Sequence, residues 1–142
     1  MKILLAVDGS KHSLAAAKCL VDHADWYREK PVVELVTVHL PLPKLPNMGM
    51  AVGKNQIQRY YDEEGEAALA AAKKKLDAAG IKYQSSVLVG QVAEAIVQHA
   101  ATTRCDLIFI GTHGRSEAGN MLLGSIATKV LHISDTPVLL VK

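Results

Sequence analysis

This chain of 142 residues has no long apolar run, few aromatic side chains and little net charge. The longest unbroken apolar run, residues 67–72, is far shorter than the roughly 20 residues that a membrane-spanning helix requires. Aromatic residues make up 4% of the chain, and Trp26, Tyr60 and Tyr61 are too scattered to stack single-stranded nucleic acid. The net charge of +2 gives no electrostatic reason for binding a duplex or a membrane surface. We therefore expect neither nucleic acid nor a membrane as a partner.

Cysteine is also rare, and the histidines lack the spacing of a metal site. Cys19 and Cys105 are too few for a disulfide framework, so we expect two reduced thiols packed against a sheet. No H-x3-H or C-x2-C pair predicts zinc, and no G-x-S-x-G predicts a serine hydrolase. We predict neither a metal site nor a catalytic residue. The opening apolar run, residues 3–7, is too short for a signal peptide, which favours a cytoplasmic protein.

Apolar residues make up 49% of the chain and alternate between strand and helix patterns. Runs rich in Val, Ile and Leu predict strands at residues 3–7, 32–39, 83–89, 107–110 and 138–141. Helical spacing of apolar residues recurs over residues 14–24, 57–79, 92–100 and 122–131, and Gly80 ends the second of these helices in the usual C-terminal position. Several of the strands are continuously apolar, which is typical of a parallel sheet covered on both faces. The pattern predicts a doubly wound α/β sandwich with a five-stranded parallel sheet, as a single domain over residues 1–142.

One segment interrupts this alternation. Residues 40–55 carry three prolines and two glycines, at Pro41, Pro43, Pro46, Gly49 and Gly53. Connections of this length in compact domains are usually functional or mobile. Two interpretations stay open, namely a plain connection and a segment that covers a ligand site.

The strongest signal for function is a glycine motif after the fourth strand. Two residues separate Gly111 from Gly114, and nine more precede Gly124 and Ser125, which open the fourth helix. Glycines let backbone N–H groups approach a phosphate, and a helix N-terminus adds donors and a favourable dipole. The spacing matches neither G-x-x-x-x-G-K-[ST] nor G-x-G-x-x-G, so P-loop hydrolysis and dinucleotide redox chemistry lose support. The motif predicts a phosphate-binding loop; glycines that serve only as turns are the alternative.

Three further polar residues lie at the ends of predicted strands. Asp8 follows the first strand, where its carboxylate can accept from a nucleoside, hold a metal that bridges phosphates, or cap the first helix. Arg115 follows Gly114 and either pairs with a phosphate oxygen or stays a solvated loop charge. For His113 we favour packing within the loop over a catalytic role.

Several stretches of the sequence resemble the universal stress protein family, and together they cover essentially the whole chain. They are the opening residues 2–10, the end of the second strand at residues 36–39, residues 106–115 with 123–127, and the closing residues 136–141. The spacing G-x2-G-x9-G-S is that family's nucleotide signature. The resemblance implies the strand order 3-2-1-4-5 and the binding of ATP.

The resemblance also implies which residues bind the nucleotide. Asp8 and the backbone around Val38 would hold the adenosine end. Gly111, Gly114 and Arg115 would contact the ribose and phosphates. The phosphates alone would be contacted by Gly124, Ser125 and Ile126. Ala6 and Ile110 complete the implied set. Some nucleotide-binding members have proline where Ala6 stands, although alanine is also common there.

Motif and resemblance together favour a regulatory module of the stress response that binds ATP, with or without Mg²⁺, and signals to a protein partner that the sequence does not identify. Two alternatives stay open: a slow or partner-stimulated ATP hydrolase, and a dimeric scaffold that binds no nucleotide. Hydrolysis needs a well-positioned water, and no recognised arrangement supplies one. We therefore expect nucleotide binding rather than an enzyme.

The last predicted strand, Val138–Val141, should lie at an edge of the sheet. An exposed apolar edge invites pairing with another chain, and pairing across a two-fold axis removes that liability. The resemblance implies the same antiparallel dimer. The alternative is an edge protected by Lys142 and the nearby terminus. We expect a homodimer through this strand.

Overall fold

The computed structural model describes residues 1–43, 53–114 and 123–142. The strands are β1 (Lys2–Ala6), β2 (Val32–His39), β3 (Tyr83–Val89), β4 (Leu107–Gly111) and β5 (Val138–Val141). The helices are α1 (Lys11–Asp22), α2 (Lys54–Ala78), α3 (Val92–Thr102) and α4 (Ser125–Ile133), with a short 3-10 turn at Ala24–Trp26. Strand and helix alternate along the described chain as the sequence predicts.

All five strands are parallel and form one sheet in the order β3-β2-β1-β4-β5. At the central strand, Ala6 pairs with Val36 of β2 on one side and with Ile110 of β4 on the other. The predicted α/β fold and strand order are therefore confirmed. The order matters for function because it brings together the carboxyl ends of β1 and β4, at Ala6 and Gly111, which are far apart in the chain.

Helices cover both faces of the sheet and enclose two apolar clusters. The cluster under α1 and α2 is built around Leu5, Leu20, Leu35, Leu69 and Phe109. The cluster under α3 and α4 is built around Leu4, Val36, Ile96, Ile108 and Val130. Successive residues of β1 alternate between the two clusters, and such continuous burial explains why the strand is apolar throughout.

The long helix α2 packs closely on the sheet through a small residue. A Cβ built at Gly65 would lie 2.4 Å from Cγ2 of Val87 in β3, so only glycine fits this contact. Buried residues follow helical spacing on the same face, from Tyr61 through Ala68 and Ala72 to Leu76. Gly80 (φ +61°) then ends the helix in the left-handed conformation, as its position in the sequence predicts.

Helix α4 begins at Ser125, as the glycine motif predicts, and therefore later than the apolar spacing over residues 122–131 indicates. Gly124 is its N-cap, and the Gly124 N–H donates to the Thr112 carbonyl at 2.7 Å, which keeps the chain before Ser125 out of the helix. Leu123 therefore precedes the helix, and Leu131 is exposed instead of buried. Residue 122 lies outside the described residues.

Both thiols are free, as expected, and they differ in environment. Cys19 is half-buried on α1, whereas Cys105 is buried before β4. Burial raises the pKa of the Cys105 thiol. None of the helices among the described residues combines the length and the apolar composition that crossing a membrane requires.

Candidate functional site

A cleft of about 580 Å³ opens at the carboxyl ends of the strands. It lies where β1 meets β2 on one side and β4 on the other, the topological switch point at which open α/β sheets bind ligands. The predicted site residues that line it are Ala6, Asp8, Val38, Ile110, Gly111, Gly114, Gly124, Ser125 and Ile126. Arg115 lies outside the described residues, as do residues 44–52 of the long segment that we considered as a cover for the site.

The turn between β1 and α1 holds Asp8 in a defined position. One carboxylate oxygen, Oδ1, accepts from the Ser10 N–H at 2.9 Å, and the Asp8 N–H donates to Ser13 Oγ at 3.2 Å. Gly9 (φ +80°) provides the left-handed conformation that this turn needs. Ser10, not Asp8, is the N-cap of α1, because its side chain accepts from the Ser13 N–H at 3.2 Å.

The glycine loop after β4 touches this aspartate directly. A Cβ built at Gly114 would lie 2.9 Å from Asp8 Oδ2, so a side chain at this position would collide with the carboxylate. Gly114 follows β4 and Asp8 follows β1, and the neighbouring strands bring them together. The absence of a side chain at residue 114 is therefore a condition for the observed position of Asp8.

Gly111 is required for a reason that the motif does not reveal. A Cβ built there would lie 2.8 Å from both the carbonyl carbon and the carbonyl oxygen of His12. The first turn of α1 therefore packs directly against the end of β4. Gly111 lines the cleft as predicted, but its lack of a side chain serves helix packing and not only the approach of a phosphate.

The N-terminus of α4 forms another wall of the cleft. Ser125, Ile126 and Ala127 are the first helical residues and all line it. The first N–H groups of a helix have no acceptor within the helix, and its dipole places partial positive charge there. A Cβ built at Gly124 would lie 3.2 Å from the Thr112 carbonyl oxygen, so the glycine brings α4 close to the end of β4. This wall is suited to an anion.

The backbone of Val38 faces the cleft because of the bonding pattern of β2. The Val36 carbonyl accepts from Val7 N on the β1 side, and the His39 carbonyl accepts from Gly90 N on the β3 side, both at 2.9 Å. Alternate residues of a strand bond to opposite neighbours, so the N–H and C=O of Val38 point to the β1 side. There β1 has ended and the chain has turned into α1.

His113 packs within the loop, which agrees with the role we favoured for it. Its Nδ1 lies 3.1 Å from Thr112 Oγ1, and its ring centroid lies 5.3 Å from that of His12. His113 also lines the cleft, beside Gly114 and the start of α4.

Sequence reasoning missed an apolar part of the cleft. Val92 and Ile96 of α3 line it, together with His39 and Leu40 beyond the end of β2. Val92 and Ile96 recur at helical spacing, which from sequence alone is indistinguishable from an ordinary core-facing stripe. A signal was available only for His39 and Leu40, because residues beyond a strand's carboxyl end border the ligand cleft in this fold class.

Fold and cleft together define a doubly wound α/β protein with a ligand site at its switch point. The family model for the universal stress protein family matches residues 1–142. The chain belongs to the universal stress protein family.

Individual relatives agree with this assignment. Universal stress protein MJ0531 of Methanocaldococcus jannaschii is 35% identical over 141 residues, which cover 99% of this chain and 81% of the relative. The structure of protein MJ0577 from the same organism matches with a TM-score of 0.82 at 29% identity, covering 99% of this chain and 94% of that one. A universal stress protein of Archaeoglobus fulgidus in complex with dAMP shares the fold, with a TM-score of 0.63 at 22% identity over 100% and 98% of the two chains.

Proposed function

We propose that this protein binds ATP in the cleft at the switch point and acts as a nucleotide-dependent regulatory module of the stress response. The observation that carries the proposal is the composition of the cleft walls. A backbone donor and acceptor at Val38, a fixed carboxylate at Asp8 and a helix N-terminus at Ser125 all border one cleft. These groups correspond to the base, the ribose and the phosphates of a nucleotide.

The part of the cleft beside the Val38 N–H and C=O, which we call the base end, favours adenine over guanine. Adenine presents a ring nitrogen acceptor beside an exocyclic N–H donor, which complements the N–H and C=O of Val38. Guanine presents its O6 acceptor where adenine has that donor. A guanine nucleotide would leave polar groups of the site unpaired, which costs about 1–3 kcal/mol for each buried group.

The ribose and phosphates are served by the two loops at the ends of β1 and β4. Asp8 is the only carboxylate among the described residues that line the cleft, and a carboxylate accepts from ribose hydroxyls. Among the described residues, no group of three or more acidic, histidine or cysteine side chains is arranged to hold a metal. Mg²⁺, where present, would enter with the phosphates, as it usually does at nucleotide sites.

The described part of the cleft favours binding over hydrolysis. Hydrolysis requires a group that positions a water in line with the terminal phosphate. Asp8 and His113 are the candidates among the described lining residues, and both already have partners, since Asp8 Oδ1 accepts from the Ser10 N–H at 2.9 Å and His113 Nδ1 lies 3.1 Å from Thr112 Oγ1. We therefore expect the bound nucleotide to act as a signal. The dAMP complex of the Archaeoglobus fulgidus protein supports the proposal, because a protein of the same fold holds an adenine nucleotide.

The test is calorimetric titration of nucleotide-free protein with ATP, GTP and adenosine. We expect one ATP site per chain and an affinity for GTP at least about tenfold lower, from the unpaired groups described above. Phosphate release measured on the same samples should stay at background. Equal affinity for ATP and GTP would contradict the assignment of the base end, and absence of ATP binding would leave the scaffold alternative.

The phosphate end is tested by a charge placed at Ser125, an exposed residue in the first turn of α4. Ser125→Glu should lower the affinity for ATP at least about tenfold through charge repulsion, while the affinity for adenosine stays unchanged. The protein should remain folded, because an acidic residue is favourable at a helix N-terminus. Ser125→Gln is the neutral control of the same size. If both variants lowered the affinity for ATP equally, the size of the new side chain and not its charge would be responsible.

A further inference from the structure

Tyr61 of α2 reaches the rim of the cleft, by which we mean residues 39–42 at and beyond the end of β2. Its hydroxyl oxygen accepts a hydrogen bond from the Leu42 N–H at 2.7 Å, and the residue is only 6% exposed. Tyr60, its neighbour in sequence, is 47% exposed. The two adjacent tyrosines therefore have different environments, and only Tyr61 is directed into the protein.

The bond to Leu42 is the main-chain tether of a short segment. Leu42 stands between Pro41 and Pro43, which have no N–H, so its amide is the single backbone donor of these three residues. The segment continues β2 directly, since β2 ends at His39. Tyr61 thus holds a stretch of chain that proline has already stiffened.

Tyr61 also contacts the end of β2 itself. Its ring centroid lies 5.8 Å from that of His39, and His39 and Leu40 line the cleft next to Val38. One side chain thus supports the rim at two places, by ring contact at His39 and by a hydrogen bond at Leu42. Both contacts lie close to the Val38 N–H and C=O, the groups to which we assign the base.

The position of Tyr61 is itself well determined. It lies one helical turn before Gly65, whose lack of a side chain allows α2 to approach Val87 of β3. Ala68, on the same face, lies against the turn at Gly9, where a Cβ would be 3.4 Å from the Ala68 Cα. Because α2 packs closely on β3 and on the turn after β1, and Tyr61 is only 6% exposed, its ring has little freedom to move.

We propose that Tyr61 is a positioning residue for the purine base of the ligand; the inference rests on the proposed function. Through Leu42 and His39 it orients the chain that carries the Val38 N–H and C=O. Hydrogen bonds weaken steeply as their geometry departs from linear, so a displaced rim pairs less well with the base. The phosphates, at the start of α4, are held independently of this contact.

The experiment compares Tyr61→Phe, which removes the hydroxyl and keeps the ring, with the matched control Tyr60→Phe. Adenosine, ATP, GTP and inorganic tripolyphosphate are titrated calorimetrically into each full-length protein. Tyr61→Phe should lower the affinities for adenosine and ATP by the same factor, about three- to tenfold, which is the effect expected for the loss of one hydrogen bond. It should also lower the preference for ATP over GTP, while tripolyphosphate is bound as by the wild type. Tyr60→Phe should change none of these values.

Two results would overturn the proposal while leaving the proposed function standing. One is adenosine affinity in Tyr61→Phe equal to that of Tyr60→Phe. The other is a lowered melting temperature with unchanged nucleotide affinity and base preference, which would show a purely structural role. A wild-type protein that binds no nucleotide would instead refute the proposed function itself.

Discussion

At the scale of single residues, the site depends on contacts that leave no space for a side chain. Gly114 and Asp8 are the clearest case, since a Cβ at residue 114 would lie 2.9 Å from Asp8 Oδ2. The sequence marks Gly114 as part of a motif, but the contact partner is distant in the chain. Only the pairing of β1 with β4 shows that this glycine makes room for a carboxylate.

We expect Gly114→Ala to reduce affinity for ATP by about tenfold, because the added methyl group displaces the Asp8 carboxylate from its place in the cleft. Calorimetry measures the effect. Gly90→Ala is the matched control, because a Cβ there meets only Ala95 Cβ at an ordinary 3.8 Å. Unchanged affinity in Gly114→Ala would contradict a role for the Gly114–Asp8 contact in ATP binding.

The two cysteines should differ in reactivity. Burial raises the pKa of the Cys105 thiol, which lowers its reactive thiolate fraction at neutral pH, and it also limits access of reagents. Labelling with a thiol reagent at pH 7.5 should be at least about tenfold slower for Cys105, studied in Cys19→Ser, than for Cys19, studied in Cys105→Ser. The two rates should become similar in denaturant. Faster native labelling of Cys105 would contradict its burial.

At the scale of secondary-structure elements, the sequence predicted existence and type better than ends. Helix α2 shows this: apolar spacing from Ile57 onward predicted the helix, and Gly80 predicted its end. For α4 the glycine motif placed the start correctly at Gly124 and Ser125, whereas apolar spacing alone extended the helix back to residue 122, because the Gly124–Thr112 backbone bond joins the helix to a different element. Apolar spacing carries no information about such a contact.

The approach of α2 to the sheet should be sensitive to one methyl group. Gly65→Ala places a Cβ 2.4 Å from Val87 Cγ2, and the branched side chain of Val87 cannot rotate away cheaply. We expect a loss of about 1–3 kcal/mol in the free energy of unfolding, partly offset by the better helix propensity of alanine. Urea denaturation measures it.

Val87→Ala provides the control for this contact. In the double variant with Gly65→Ala, the removed methyl groups make room for the new one, so the two changes should cost less together than the sum of their separate costs. Additive costs would show that the Gly65–Val87 contact does not limit the approach of α2.

At the scale of the whole molecule, the sheet has two edges, and β5 forms one of them. Pro137 and Val141 carbonyls accept from Ile108 and Thr112 N–H groups on the β4 side. By alternation, the backbone groups of Val138 and Leu140 point away from β4, toward the edge. We propose that a second copy of the chain pairs with them across a two-fold axis.

This dimer is tested by light scattering of the wild type and of Leu140→Pro, which removes a donor on the edge side and spares the bonds to β4. We expect a dimer at micromolar concentration for the wild type and a monomer for the variant. Lysine substitutions would be less informative, because Leu139 and Leu140 pack in the two opposite apolar clusters. A monomeric wild type would refute the proposal.

The sequence by itself determined the layers of this protein. Periodic apolar residues define strands and helices, and continuously apolar strands require cover on both faces. The motif at Gly111, Gly114 and Gly124 likewise marked the loop at the cleft, because close backbone approach needs glycine wherever the partner lies. The strand order was implied by the resemblance to a family alone, and the nucleotide-binding residues were predicted from the glycine motif together with that resemblance.

Only the tertiary structure decided which residues meet. It placed Gly111 against α1, Gly114 against Asp8, and Tyr61 against the rim beyond β2. None of these partners is near in sequence, and Tyr61 looked like one more apolar position in the face of α2. Local pattern reports which face of an element is buried, whereas the partner on that face is set by the packing of the whole sheet and its helices.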